Sequence, residues 1–213
     1  MVTKAEIVDP GEIEAKSFAL IDRETGPHDY DDRQWPIVRR VIHTTADFDF
    51  AAITRFSPEV VAAGIAALRR GESILCDTNM VLAGVNKARL AGFGCAINCH
   101  VADADVASEA SQLGVTRSIV AVRKGAAQGC GIYLIGNAPT ALFELLNLTE
   151  KGEVKPSLIV GVPVGFVGAE ESKEALLASK IPFITCRGRK GGSAIAATIL
   201  NALMLLAEEE GSA

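Results

Sequence analysis

The part of this sequence best equipped for chemistry is Arg187-Gly188-Arg189-Lys190-Gly191-Gly192-Ser193, where three cations and three glycines stand between a strand pattern and a long helical pattern. Glycine permits positive φ and lets a ligand come close to the backbone. The helix start that follows offers unpaired N–H groups and the positive end of a dipole. Arg187, Arg189 and Lys190 add full charges, and an arginine can grip a carboxylate or phosphate with two bonds. An anion site is favoured over a basic surface turn. It is not a P-loop: the GxxxxGK[ST] order is missing, and no GxGxxG follows the first strand, so nucleotide cofactors are disfavoured.

Other groups are more ambiguous. Arg117 opens a helix in Thr116-Arg117-Ser118, where a cation opposes the dipole, so a ligand role and a surface ion pair weigh evenly. Asp77 follows a strand and Thr78 can cap the next helix, which by itself accounts for both. Of the three histidines, His28 lies in the polar stretch Gly26-Pro27-His28-Asp29, and His100 ends a strand. His43 sits in the helical run Arg39-Arg40-Val41-Ile42-His43-Thr44-Thr45-Ala46-Asp47. Position alone favours His100, because a histidine among apolar helix residues is more often a core group. Cys95, Cys99 and His100 are the sole cluster resembling metal ligands, and with no second half in view they read as buried thiols in a strand rather than a metal site.

The elements that must position these groups follow from the apolar rhythm. From residue 73 onward, short apolar runs at Ser73–Cys76, Cys95–Cys99, Gly131–Ile135, Ser157–Val162 and Pro182–Cys186 alternate with longer helical patterns. Those patterns fall near Thr78–Leu90, Ala104–Leu113, Thr116–Gln128, Ala138–Leu148, Ala169–Ser179 and Ser193–Ala207. This alternation predicts a three-layer α/β/α fold with a mostly parallel, roughly five-stranded sheet. Ahead of it lies an N-terminal helical segment. Its first helix is capped by Asp9-Pro10-Gly11-Glu12 and stops near Gly26, a second begins at Pro36, and a third runs from Ser57 to Gly71. The tail Glu208–Ala213 reads as solvated and frayed. Ligands of such sheets bind beyond the carboxyl ends of the strands, and those ends carry the Gly- and Pro-containing loops.

The bulk numbers narrow the class. At 213 residues, 49% apolar and 22% charged, the chain predicts one compact domain over residues 1–213. Its net charge of −5 and 5% aromatic content argue against nucleic acid or an acidic membrane surface as partner. No apolar run approaches the ~20 residues of a membrane helix, and the first residues lack a signal peptide's apolar core, so a cytoplasmic protein is expected.

Taken together, the segments resemble the precorrin-8X methylmutase (precorrin isomerase) family of corrin biosynthesis. The matching stretches are Val41–Phe50 (VIHTTADFDF), Asp77–Val81 (DTNMV), Thr116–Ser118 (TRS), Ile135–Leu142 (IGNAPTAL), Gly161–Lys173 (GVPVGFVGAEESK) and Gly188–Leu203 (GRKGGSAIAATILNAL). The resemblance moves the catalytic choice to His43. It implies migration of a methyl group from carbon 11 to carbon 12 of the macrocycle, formally a suprafacial 1,5-sigmatropic shift, with no organic cofactor. It also implies a homodimer with the substrate near the subunit interface.

The residues suit that role. A macrocycle edged with acetates and propionates needs cations and helix N-termini at its rim, for which Arg117 and the loop Arg187, Arg189, Lys190, Gly191, Gly192, Ser193 are candidates. Ser17, Arg40, Thr44 and Thr78 join them as substrate-binding candidates. The shift needs neither nucleophile nor hydride, but a proton on the ring-C nitrogen, which an imidazole with an ordinary pKa of ~6.5 can lend. Asp47, four residues after His43, would share its face on a continued helix and could orient the ring, or simply cap its own backbone. No protein metal site is expected; cobalt would arrive with the substrate, and Ile42–Phe50 and Gly188–Ser193 look more similar to the anaerobic, cobalt-using kind. Two competing readings are an enzyme acting on phosphorylated sugars through the same anion loop and a non-catalytic tetrapyrrole carrier.

Overall fold

The structure is a computed structural model and describes residues 10–211. The proposed Asp9 cap therefore lies outside the described residues, while Pro10 opens the first helix. Helices α1 (Pro10–Thr25), α2 (Gln34–Thr45) and the short α3 (Asp49–Ile53) lead to strand β1 (Thr54–Phe56) and helix α4 (Val60–Arg69). The alternating part follows as β2 (Ile74–Cys76), α5 (Asn79–Gly84), α6 (Lys87–Gly92), β3 (Ile97–Asn98), α7 (Ala104–Leu113), α8 (Arg117–Ala127) and β4 (Ile132–Ile135). It ends with α9 (Pro139–Glu150), β5 (Leu158–Gly161), α10 (Ala169–Leu177), β6 (Phe183–Cys186) and α11 (Ser193–Gly211).

The strand order is β1-β6-β5-β4-β2-β3, parallel throughout except that β1 runs antiparallel to β6. All five predicted strands are present and the three-layer class holds. The sixth, β1, is new: Thr54-Arg55-Phe56 carries no apolar run, and its pairing with Ile184–Cys186 is what makes it a strand. Side chains alternate across the sheet as a period of two requires. Ile74, Ile132, Leu134, Leu158, Val160 and Ile184 join the core under α2, α4, α5 and α11. Leu75, Tyr133, Ile135, Ile159 and Phe183 face the other layer, toward α8, α9 and α10.

Three local expectations change. The pattern Thr78–Leu90 is two helices, because Asn86 turns out of the first and accepts from the Arg89 N–H to cap the second. The tail is helical to Gly211 and exposed, with Glu208 tied to Arg89 and Glu210 to Arg33, so it is solvated but not frayed; residues 212 and 213 lie outside the described residues. Helix α5 packs on α11 so closely that a Cβ on Gly84 would lie 2.8 Å from the Ala197 Cβ. Gly84→Ala should therefore cost ~1–3 kcal/mol of overpacking, read as a lowered midpoint in urea unfolding with an unchanged slope.

Candidate active site

The parallel strands end on one side, and the connection reverses direction between β2 and β4, which makes that border the topological switch point. Asp77 closes it. Its carboxylate is 2% exposed and accepts N–H bonds from Gly136 (3.0 Å), Asn137 (2.7 Å) and Ala138 (2.7 Å), holding the loop after β4 against the end of β2. Burial pushes this carboxyl upward, and the three N–H donors oppose that shift.

The loop after β6 lands on this border. Gly136 lies so close to Ser193 that a Cβ would fall 2.7 Å from its Cα. The Ser193 hydroxyl is 3.1 Å from that of Thr78, and Gly192 N–H donates to the Val162 carbonyl at 2.8 Å. Gly191 has φ 157°, and a Cβ there would overlap the Val162 carbonyl oxygen. The three cations separate. Arg187 and Arg189 are exposed, Arg187 4.0 Å from Glu174 and Arg189 over the Phe166 ring. Lys190 instead straps the loop to the turn after α2, 2.5 Å from Asp47 and 2.6 Å from Asp49. Lys190 thereby holds the Asp47 carboxyl below its usual range, so the strap persists through neutral pH and is lost only as pH falls through that lowered value.

His43 lies where α2 meets this assembly. Ile37, Val38, Val41 and Ile42 bury one face of the helix, which leaves the imidazole exposed, edge-on to Phe18 at 5.4 Å between ring centroids. Among the described residues no hydrogen bond reaches its ring nitrogens. It lines a hollow of about 220 Å³ with Arg40, Thr44, Asn86, Arg89, Thr198 and Asn201. Arg40 is steadied by Glu14 at 2.9 Å, and the Thr44 hydroxyl is 3.0 Å from that of Thr198 on α11. The helix stops at Ala46, whose φ of 52° swings the chain away. Asp47 is thus off the histidine's face; it pairs with Lys190 and accepts from the Asp49 N–H, and does not orient the imidazole. A larger hollow of about 590 Å³ beside His28, Tyr30 and Arg55 has its polar tips already engaged, since the Tyr30 hydroxyl and the Arg55 guanidinium both donate to backbone carbonyls.

Several candidates stand together: Arg40, His43 and Thr44 in one hollow, with Thr78, Lys190, Gly191, Gly192 and Ser193 linked to it through α11 and the strap. Two stand apart. The Ser17 hydroxyl donates to the Ile13 carbonyl on α1, and Arg117 heads α8 on the opposite layer, exposed and unpaired among the described residues. His100 is consumed by Asp103 (2.8 Å) and Gln128 (2.9 Å), and Cys95 donates to the Leu68 carbonyl, so that cluster does not converge. Among the described residues no three His, Cys, Asp or Glu side chains are grouped to hold a metal ion. Sequence reasoning passed over Asn86, Arg89, Thr198 and Asn201. The missed signal was the Gly84-Val85-Asn86 break, which turns α6 toward α11.

Residues 12–206 match the family described as precorrin-8X methylmutase. The chain is 48% identical to the cobalt-precorrin-8 methylmutase of Priestia megaterium over 97% of this chain and 94% of that one. It is 46% identical to the precorrin-8X methylmutase of Pseudomonas aeruginosa over 92% and 96%. The crystal structure of the precorrin-8X methylmutase from Thermus thermophilus superposes with a TM-score of 0.88 at 41% identity, covering 94% of this chain and 98% of that one.

Proposed function

Because the chain belongs to the precorrin-8X methylmutase family, we propose that it is the isomerase that moves a methyl group from carbon 11 to carbon 12 of precorrin-8X or its cobalt complex in cobalamin biosynthesis, giving hydrogenobyrinate or cobyrinate. The observation that carries the proposal is the exposed His43 imidazole, free of hydrogen bonds among the described residues, on the wall of a hollow flanked by Arg40 and Arg89. An imidazole held there can lend a proton to ring C, at its nitrogen in the metal-free macrocycle and at its conjugated carbon framework where cobalt already holds that nitrogen. The protonated ring draws electrons from the migrating centre, the methyl moves with its bonding pair, and the proton returns. Reactant and product are isomers, so no organic cofactor is consumed, and cobalt enters only as part of the substrate. The cobalt form is the preferred substrate, a choice supported by the names of relatives such as those from Priestia megaterium and Salmonella typhimurium.

The acidic rim of the macrocycle is met by cations and N–H groups: Arg40 beside His43, and Arg187, Arg189, Gly191, Gly192 and Ser193 at the head of α11, with Thr44 and Thr78 at the edges; Ser17, apart on α1, would reach a substrate carboxylate only by releasing the Ile13 carbonyl. Lys190 contributes by fixing this loop rather than as a free charge. Arg117, on the other layer of its own subunit, fits a homodimer in which it reaches the partner's cleft. No helix among the described residues is long and apolar enough to cross a membrane.

The test is to mix the purified protein with precorrin-8X, and separately with its cobalt complex, and follow the visible spectrum. Appearance of the corrin chromophore supports the isomerase and shows which form is preferred; binding without conversion would favour a carrier. Affinity for a small phosphate ester with none for the macrocycle would favour the sugar-phosphate enzyme. Arg189→Ala should weaken macrocycle binding by about 1 kcal/mol in low salt and less in high salt, read by absorbance titration; equal losses at both would remove its electrostatic role.

A further inference from the structure

Lys173 is the largest charged side chain sealed inside this fold, at 0% exposure. It sits on α10 at a core position, in step with Ala169, Ser172 and Leu176, where an apolar residue would be expected. Among the described residues no carboxylate lies within ion-pair distance of its amine. That amine donates to the Lys190 carbonyl at 2.6 Å and lies 3.8 Å from the Cys186 thiol. Burial pushes its pKa down, so the amine is more easily neutral than an ordinary lysine. Burying this group gains nothing in packing over Met and costs desolvation.

The benefit lies in the peptide it holds. The Lys190–Gly191 bond is trans, so its carbonyl and N–H point in opposite directions. With the carbonyl drawn inward to Lys173, its closer donor, and to the Cys186 thiol, which donates to it at 3.1 Å, the Gly191 N–H turns outward, and it has no acceptor among the described residues. Only glycine can take this pose, because a Cβ would strike the Val162 carbonyl. We propose that Lys173 is a positioning residue: by hydrogen-bonding the Lys190 carbonyl it presents the Gly191 N–H to a carboxylate of the macrocycle. This rests on the proposed substrate and names one donor that binds it.

The test compares wild type with Lys173→Met, using cobyrinate for binding and cobalt-precorrin-8 for turnover. The expected result is a KM and a product Kd raised about tenfold, with kcat within about threefold and a thermal midpoint unchanged or higher. A lowered midpoint with unchanged binding would reduce Lys173 to a structural role and overturn the proposal. In wild type, the Gly191 amide resonance should shift as cobyrinate saturates the protein; a stationary resonance overturns the proposal even where the variant fails to fold. Should wild type bind no macrocycle, the substrate assignment fails by itself. Amide exchange in ligand-free protein then decides for Lys173: Gly191 must exchange freely in wild type and at a different rate in K173M, and equal rates overturn the proposal.

Discussion

His43→Ala should slow formation of the corrin chromophore by ~10²–10⁴-fold, the usual worth of a placed general acid, while leaving macrocycle affinity within a few-fold. The asymmetry follows from the geometry. The binding groups are spread over α2, α6 and the loop before α11, and none of them is held by the imidazole. The histidine is exposed and touches Phe18 only edge-on, so its removal should change unfolding free energy by no more than about 0.5 kcal/mol. Single-turnover spectra with saturating enzyme separate the two effects, and thermal unfolding checks the third. A variant that converts substrate at the wild-type rate would move the acid to another residue.

The second large effect belongs to Asp77. Truncation to Ala leaves three N–H groups without their acceptor: those of Gly136 and Ala138 in the interior, and that of the exposed Asn137, which water can reach. Each buried orphan costs ~1–3 kcal/mol, and since the three share one loop their sum is not additive; roughly 4 kcal/mol is expected. That is a large share of the 5–15 kcal/mol that holds a typical domain together. Asp77→Ala should fold poorly or show a strongly lowered urea midpoint, whereas Asp77→Asn, which keeps one oxygen, should fall between. Because Ser193 rests on Gly136, the Ala variant should also lose macrocycle affinity in whatever fraction remains folded. An Ala variant as stable as wild type would mean that the loop after β4 is held by other contacts.

The strands from residue 74 onward were legible because each falls in a short, mostly apolar run between Gly, Pro or polar punctuation, as Ile132–Ile135 and Leu158–Gly161 show. The anion loop was legible for the same local reason. What escaped is what depends on distant partners. Strand β1 exists only against β6, and the Lys190 charge is spent on Asp47, 143 positions away. Lys173 stands among Glu170, Glu171 and Glu174 on a charged helix, and only its period relative to Leu176 marks it as inward-facing. Histidine position alone pointed at His100, whose ring turns out to clamp Asp103 and Gln128. His43 came forward by family resemblance; nothing in its local spacing marks it.

The antiparallel pairing of β1 with β6 bears on how the molecule is made. A ribosome delivers α2 early, yet that helix is placed by elements delivered last: β1 pairs with Ile184–Cys186, and Thr44 meets Thr198 across 154 positions of chain. Contacts of such long separation form late and slowly. The middle strands can assemble while the chain is still emerging, but the wall that carries His43 has to wait, its apolar face uncovered, until α11 arrives. The nascent protein is thus expected to complete the wall around His43 only once α11 docks, and loss of that helix would take the histidine's setting with it even though the histidine itself had been made first.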